Sequence, residues 1–362
     1  MKILVTVFRL LTGVIFIFSG LIKMNDPVGF AFKLEEYFSP SVLNLEFLMP
    51  YALALAVILV ILEVLLGVLL LLGTQVKLTV WSLFLMILFF TFLTFYSAYY
   101  NKVTDCGCFG DAIKLTPWES FFKDVVLLIM IVVLLIKKEL IRPWLSPRTA
   151  KSVRFLTILG CVLFTYYVIA HLPLIDFRPY HVGADIREGM TIPEDAPKPV
   201  YAYHWKFRVN GKDTLITTKG SYPEVDGEYL EVTTEEIQAG YQPPIHDFTM
   251  ERNGADHTAE LLTEPKLLMV VSRVVSKADK EAFEALKPVI ERAKQSGYTV
   301  IGMSASSQQE IREAGFLSDI PFYFCDLTTL KTIVRSNPGV LKLSEGVIQQ
   351  KVHYNDLEEL EF

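Results

Sequence analysis

Residues 78–111 read LTVWSLFLMILFFTFLTFYSAYY, then NKVT, then DCGCFGD. The first part has no charged residue and is long enough to cross a bilayer, which takes about 20 residues as a helix. A second apolar run, residues 120–136, follows the heptapeptide. Asp105-Cys106-Gly107-Cys108-Phe109-Gly110-Asp111 therefore sits at the mouth of a membrane bundle, and it holds half of the chain's four cysteines. Two thiols one residue apart can cycle between dithiol and disulfide, so a redox reading starts there.

Working outward, apolar segments of spanning length occupy residues 3–22, 51–72, 78–100, 120–136 and 153–170. The fourth is the shortest. Tyr96, Tyr99, Tyr100 and Trp118 fall near segment ends, where aromatic anchors sit. No small-residue cleavage site follows the first run, which is expected to stay as an anchor. The chain is 52% hydrophobic, with the excess in its first half. A net charge of −6 and the lack of a basic stripe argue against nucleic acid as a partner. Four cysteines are too few for a disulfide-stapled scaffold.

Loop charge sets the orientation. Between the fourth and fifth segments lie Lys137, Lys138, Arg142, Arg148, Lys151 and Arg154 against Glu139. By the positive-inside rule that loop is cytoplasmic. Five crossings then place the N-terminus inside. The Cys106/Cys108 loop and everything after His171 lie outside, in the periplasm if the membrane is a bacterial inner one. Such a compartment permits disulfides.

The tail divides again. Residues 173–243 read as a β-rich connector: 201–209 and 214–218 alternate as strands around the turn Asn210-Gly211. From residue 244 the pattern is strand, helix, strand, helix, strand and a closing hairpin. Strands are expected at 267–271, 298–304, 321–324, 340–343 and 347–352, and helices at 277–295, 307–314 and 328–334. This alternation predicts an α/β sheet with crossovers.

Residues 1–140 resemble the DoxX/MauE group of integral membrane proteins. The likeness rests on Phe18-Ser19-Gly20, Lys23 and Asp26-Pro27, then Glu63 with Gly67 and Gly73, the Cys106-Gly107-Cys108-Phe109-Gly110 loop, and Lys123-Asp124. The cysteine loop points to the MauE branch. The resemblance implies a four-helix membrane domain, with residues 141–172 adding the basic loop and a fifth helix. It also implies a link to quinone-coupled sulfur oxidation (DoxX) or to maturation of a disulfide-rich periplasmic dehydrogenase (MauE). Residues 244–362 look like a membrane-tethered thioredoxin-like domain, with Asn337-Pro338-Gly339 where that family places a cis-proline. The departure is that residues 272–277, where Cys-x-x-Cys belongs, read Ser-Arg-Val-Val-Ser-Lys. The family's chemistry does not carry over to this tail.

Three readings of Cys106 and Cys108 stand side by side. A strained small-ring disulfide is labile and catalytic rather than structural. Two thiolates can instead hold a metal given further ligands, with His171 emerging on the same face. The loop can also be a plain structural turn. Asp105 and Asp111 disfavour a thiolate, and Lys102 and Lys114 offset them. Glu63 lies inside an apolar segment, where a carboxylate costs a few kcal/mol and so marks a candidate site. It is read either as a proton relay to a quinone or as an interhelical hydrogen-bond partner, with Arg9 as a candidate counter-ion. Lys23 and Asp26 read as helix-end residues, and Cys161 and Cys325 as buried, inert thiols.

The sequence thus predicts about five membrane helices followed by an extracytoplasmic α/β domain. Cys106 and Cys108 are the redox pair, quinone is the non-covalent cofactor, and a protein client is the partner. The alternative is a non-enzymatic scaffold whose tail binds a partner.

Overall fold

The computed structural model describes the 362-residue chain except residues 104–106, 108, 316 and 318. Its first half is helical: α1 (Lys2–Asn25), α2 (Pro27–Phe38), α3 (Ala52–Leu72), α4 (Val76–Tyr100), α5 (Pro117–Ile136) and α6 (Pro147–Ala170). Local signals start three of them. Asp26, Thr116 and Ser146 each accept a backbone N–H as N-cap, and each is followed by a proline. Gly73, at φ 66°, ends α3 in the left-handed conformation that glycine adopts at no steric cost.

Among the described residues, four stretches are long and apolar enough to cross a membrane: Lys2–Asn25, Glu46–Leu72, Val76–Tyr100 and Pro147–Ala170. The fourth predicted span, α5, carries Glu119, Lys123 and Asp124 in its first turns, and these three charges keep it out of that set. Its later turns are apolar. Leu127, Ile131 and Leu134 pack with Val80 and Leu83 of α4 and Leu70 of α3. α6 packs through Cys161 against Met24, Val60 and Val64. Its other face, including Phe155, Leu163 and Tyr166, is exposed, as a lipid-facing helix requires. The sequence reading missed α2, whose 12 residues bury Ala31, Leu34, Tyr37 and Phe38.

The tail begins with the short helix α7 (Ile186–Met190) and then an antiparallel sheet, in the order β2-β1-β3. Its strands are β1 (Val200–Val209), β2 (Lys212–Thr218) and β3 (Glu228–Gln238). The first two follow the predicted hairpin about Asn210-Gly211. The third was not anticipated, because almost every position of it is exposed and the sequence shows no alternation.

The α/β part contains β4 (Glu251–Arg252), β5 (Ala255–Asp256), α8 (Thr258–Leu261), β6 (Leu267–Val271), α9 (Lys280–Gln295), β7 (Thr299–Ser304) and α10 (Gln308–Ala314). It continues with β8 (Phe322–Phe324), α11 (Leu327–Ile333), β9 (Gly339–Ser344) and β10 (Val347–His353). The sheet order is β10-β9-β6-β7-β8-β4-β5. β6, β7 and β8 are parallel, whereas β9 and β10 run antiparallel to their neighbours. β6 is buried on both faces. Leu267, Met269 and Val271 face one core and Leu268 and Val270 the other, where α9 lays Phe283, Leu286 and Ile290. The first core also takes Tyr180 and Ile186, and Gly183 N donates to Ile348 O at 2.8 Å. The stretch before residue 190 therefore packs with the α/β body, although the sequence reads it as connector. The Asn337-Pro338 bond before β9 is cis.

A histidine sits where β10 ends. His353 is buried, and its Nδ1 accepts the Asn355 N–H at 3.1 Å, so the neutral ring is the one that fits. Burial pulls its pKa down to about 4, with Asp356 opposing and His171 assisting. Between about pH 6.5 and 4 the unfolded chain binds the proton and the folded chain does not. The tail should therefore lose stability as pH falls through that window. The urea midpoint for β10 amide protection should drop on acidification and flatten in His353→Gln; equal pH slopes in the two proteins would remove the histidine as cause.

Candidate functional site

α1 buries one stripe with spacings of three and four: Val5, Arg9, Thr12, Phe16, Ser19 and Lys23. It packs antiparallel to α3 at close range. A Cβ on Gly20 would fall 2.6 Å from Val64 Cγ2, and one on Gly67 would fall 2.8 Å from Gly13 O. Small residues of this kind let membrane helices approach. The approach brings Lys23 Nζ to 2.6 Å from Glu63 Oε2, with side chains 4% and 6% exposed. Lys23 also lies 5.4 Å from the Phe30 ring and 5.1 Å from the Phe90 ring.

A second pair lies beside it. Lys123 Nζ is 2.7 Å from Asp124 Oδ1, and Thr94 Oγ1 donates to Asp124 Oδ2 at 3.2 Å. Tyr37 of α2 and Ser97 of α4 share a hydrogen bond of 3.1 Å. Ser19, Lys23, Glu63, Lys123 and Asp124 all line one cavity, together with Gly107. The water-accessible space in it is about 40 Å³. That admits a few waters, whereas an aromatic ring needs roughly 150 Å³.

Gly107 connects this cavity to the cysteine loop. It is buried at φ 65°, with Lys33 beside it, and its carbonyl accepts the Gly110 N–H at 3.2 Å. Phe109 faces Lys123 at 5.1 Å and Phe18 at 5.9 Å. Cys106 and Cys108, the predicted redox pair, lie outside the described residues. Gly107, the residue between them, is a wall of the chamber that holds both ion pairs.

The structure corrects one pairing. Arg9 is not the counter-ion of Glu63. Its guanidinium donates to Leu70 O at 2.8 Å, Leu71 O at 2.6 Å and Arg142 O at 2.9 Å, and stacks on Trp144 at 4.1 Å. Antiparallel packing sets Gly20 beside Val64 and Gly13 beside Leu71. Arg9 therefore lies about two turns of α3 beyond Glu63 and meets the open carbonyls of the helix end.

Asp26 caps α2 through Gly29 N and also receives Arg335 of the tail. His171 pairs with Asp356 at 2.5 Å. No group of three metal-ligating side chains forms among the described residues. Cys161 is buried within the bundle. Cys325 is buried in the tail, where loss of solvent pushes its thiol up to about 11. Neither suits nucleophilic work at neutral pH. Sequence reasoning missed the contributions of Tyr37 and Thr94. The polar residues recurring along the α1 stripe were the available signal for a polar interior.

Of the motif residues that carried the resemblance, Ser19, Lys23, Glu63, Gly107, Lys123 and Asp124 thus line one chamber. No curated protein matches the chain, and neither does any solved structure. Residues 1–137, which contain every wall of this chamber, match the family model described as methylamine utilisation protein MauE, so this part of the chain, α1 to α5, is MauE-like.

Proposed function

We propose that this MauE-like protein exchanges thiols and disulfides with extracytoplasmic clients through Cys106 and Cys108, and passes the electrons to the quinone pool. The observation that carries the reading is Gly107 on the wall of a chamber holding the buried Lys23–Glu63 pair and the half-buried Lys123–Asp124 pair. A client thiolate attacks the loop disulfide and forms a mixed disulfide. The second client thiolate then displaces it, leaving Cys106 and Cys108 reduced and the client oxidised. Reoxidation transfers two electrons and two protons to a quinone, which leaves as quinol while the loop S–S bond reforms. Glu63, paired with Lys23, is the group placed to take up and pass on those protons. The water-sized chamber suits proton movement, and the quinone ring docks outside it.

In this scheme α5 is the fourth of five crossings. Its packing along α4 supports that assignment. The basic segment 137–154 is then cytoplasmic, and the cysteine loop and tail share the periplasmic side. The strand order and the helix after β6 support a thioredoxin-like reading of the tail. With Ser272-Arg273-Val274-Val275 in the place of Cys-x-x-Cys, this domain binds rather than reacts. That same substitution favours the second reading, a scaffold with no chemistry.

Trapping free thiols in membranes with and without added quinone separates the two readings. The exchange reading expects oxidised Cys106/Cys108 with quinone, reduced thiols without it, and loss of client oxidation in Cys106→Ser and Cys108→Ser. A thiol state indifferent to quinone, with full biological activity in both variants, leaves only the scaffold.

A further inference from the structure

The tail holds a cavity of its own. It encloses about 490 Å³ and is walled by residues 179–180, residues 244–247 and the start of α11. Ligand pockets commonly measure roughly 300–1,000 Å³. All of its walls are described residues, and none belongs to the membrane half.

The charge in it has one sign. Asp247 and Asp326 line it, and no lysine or arginine does. Asp326 accepts the N–H groups of Thr328 and Thr329 at 2.7 and 3.3 Å. Burial pushes its carboxyl up, but those donors outweigh it and hold the group below its usual range. It is therefore an anion at neutral pH. Asp247 sits at φ 59°, held there by Thr329 Oγ1, which donates to its backbone O at 3.2 Å. The Asp247 carboxylate has no hydrogen bond or ion pair among the described residues.

Tyr180 lies at the base. It is 2% exposed, and its ring packs on Phe248 at 6.0 Å. Its hydroxyl has no hydrogen-bond partner among the described residues, yet it is not sealed off. Burial raises the phenol pKa, and Cys325 and Asp247 add to the rise, so the hydroxyl lies within reach of the Asp247 charge. A buried hydroxyl left unpaired costs free energy that a ligand's polar group can recover. A metal ion does not suit the site, because His246, Asp247 and Asp326 do not converge as ligands. The backbone N–H groups of His246 and Asp247 also donate to nothing among the described residues. An extended chain laid along this rim therefore meets main-chain donors as well as carboxylates.

We propose that this cleft binds a basic peptide segment of a protein partner, taking a lysine or arginine side chain against Asp247, Asp326 and the Tyr180 hydroxyl. The backbone of the segment runs along residues 244–247. The inference names the chemistry of the partner that the tail binds. It uses neither Cys106 nor Cys108, so it stands whether the membrane half exchanges thiols or serves as a scaffold.

The test uses the full chain in lipid nanodiscs, with dissociation constants from NMR titration of the ligand signals. The probes are the blocked tripeptide acetyl-Ala-Lys-Ala-amide, its neutral counterpart acetyl-Ala-Gln-Ala-amide, and putrescine, which has the cation without the main chain. The lysine peptide should bind saturably, about tenfold tighter than the glutamine peptide, because it gains a charge-assisted contact. It should also bind more tightly than putrescine. Asp247→Asn and Asp326→Asn should each weaken it about tenfold. Asparagine tolerates the left-handed backbone at 247 and still caps α11 at 326, so both variants keep the fold. Tyr180→Phe removes the hydroxyl alone and should weaken binding about threefold. No saturable binding of the lysine peptide, equal affinity for the glutamine peptide, or wild-type affinity in both asparagine variants overturns the site. Putrescine binding as tightly as the lysine peptide overturns the peptide assignment. Thiol trapping with and without quinone remains the separate test of the exchange reading, and its outcome does not move these constants.

Discussion

Lys23→Met should lower the stability of the membrane half by about 3–5 kcal/mol, because it strands a buried carboxylate. Lys23 and Glu63 are almost wholly out of solvent, and Lys23 is the one ion-pair partner found for Glu63 among the described residues. The ammonium also rests against Phe30 and Phe90, so the methionine chain keeps the packing while removing the charge. Replacing both residues, Lys23→Met with Glu63→Leu, should recover most of the loss, since a buried pair can be exchanged for apolar contacts at little net cost. Unfolding of the purified protein in mixed detergent micelles measures both. A single variant as stable as wild type, or a double variant worse than the single, would show that the pair does not hold α1 to α3. The same variants separate structure from chemistry. A double variant that folds but no longer oxidises its thiols identifies Glu63 as a working group.

The second large effect is expected at Asp176. This carboxylate joins two cations in the tail: Arg178 Nε at 2.7 Å, and Lys351, whose Nζ also donates to Tyr180 O at 2.6 Å. Burial pushes the Asp176 carboxyl up, but the charges of Arg178 and Lys351 outweigh it and hold it below its usual range. Burial, then the neighbouring Arg178, pulls Lys351 down to about 8. Asp176→Asn leaves two buried cations without their anion and should cost about 3–5 kcal/mol. Adding Lys351→Met should restore part of that. Amide exchange in β9 and β10 reports the change directly. Protection equal to wild type in Asp176→Asn would mean that the backbone carbonyls alone satisfy both cations.

Much of the architecture was legible because it is written in short-range patterns. Long uncharged runs marked the helices and Asn210-Gly211 marked a hairpin, but the starts of α5 and α6, at Thr116-Pro117 and Ser146-Pro147, lie outside the apolar runs and were not read. α2 escaped because 12 residues that mix Lys33, Glu35 and Glu36 with apolar positions look like an acidic loop until the cover for their buried face is known. The candidate site was legible as a set of residues but not as an arrangement. Glu63 was singled out correctly as a buried carboxylate, yet its partner depended on the register of α1 against α3, which Gly13, Gly20 and Gly67 set. The contact of Arg335 with Asp26 joins residues 309 apart, and no local pattern encodes it.

Arg9 sets one end of the seam between α1 and α3 apart from the other. Its guanidinium stitches the last turn of α3 to the chain at Arg142 and lies flat against Trp144, while Leu70, Val80 and Leu134 fill the layer behind it. The chamber around Glu63 lies about two turns of α3 away, with Gly107 among its lining residues. A cation thus closes one end of the α1–α3 seam while an ion pair with water-sized space beside it occupies the other, so the two ends of one helix contact are chemically unlike.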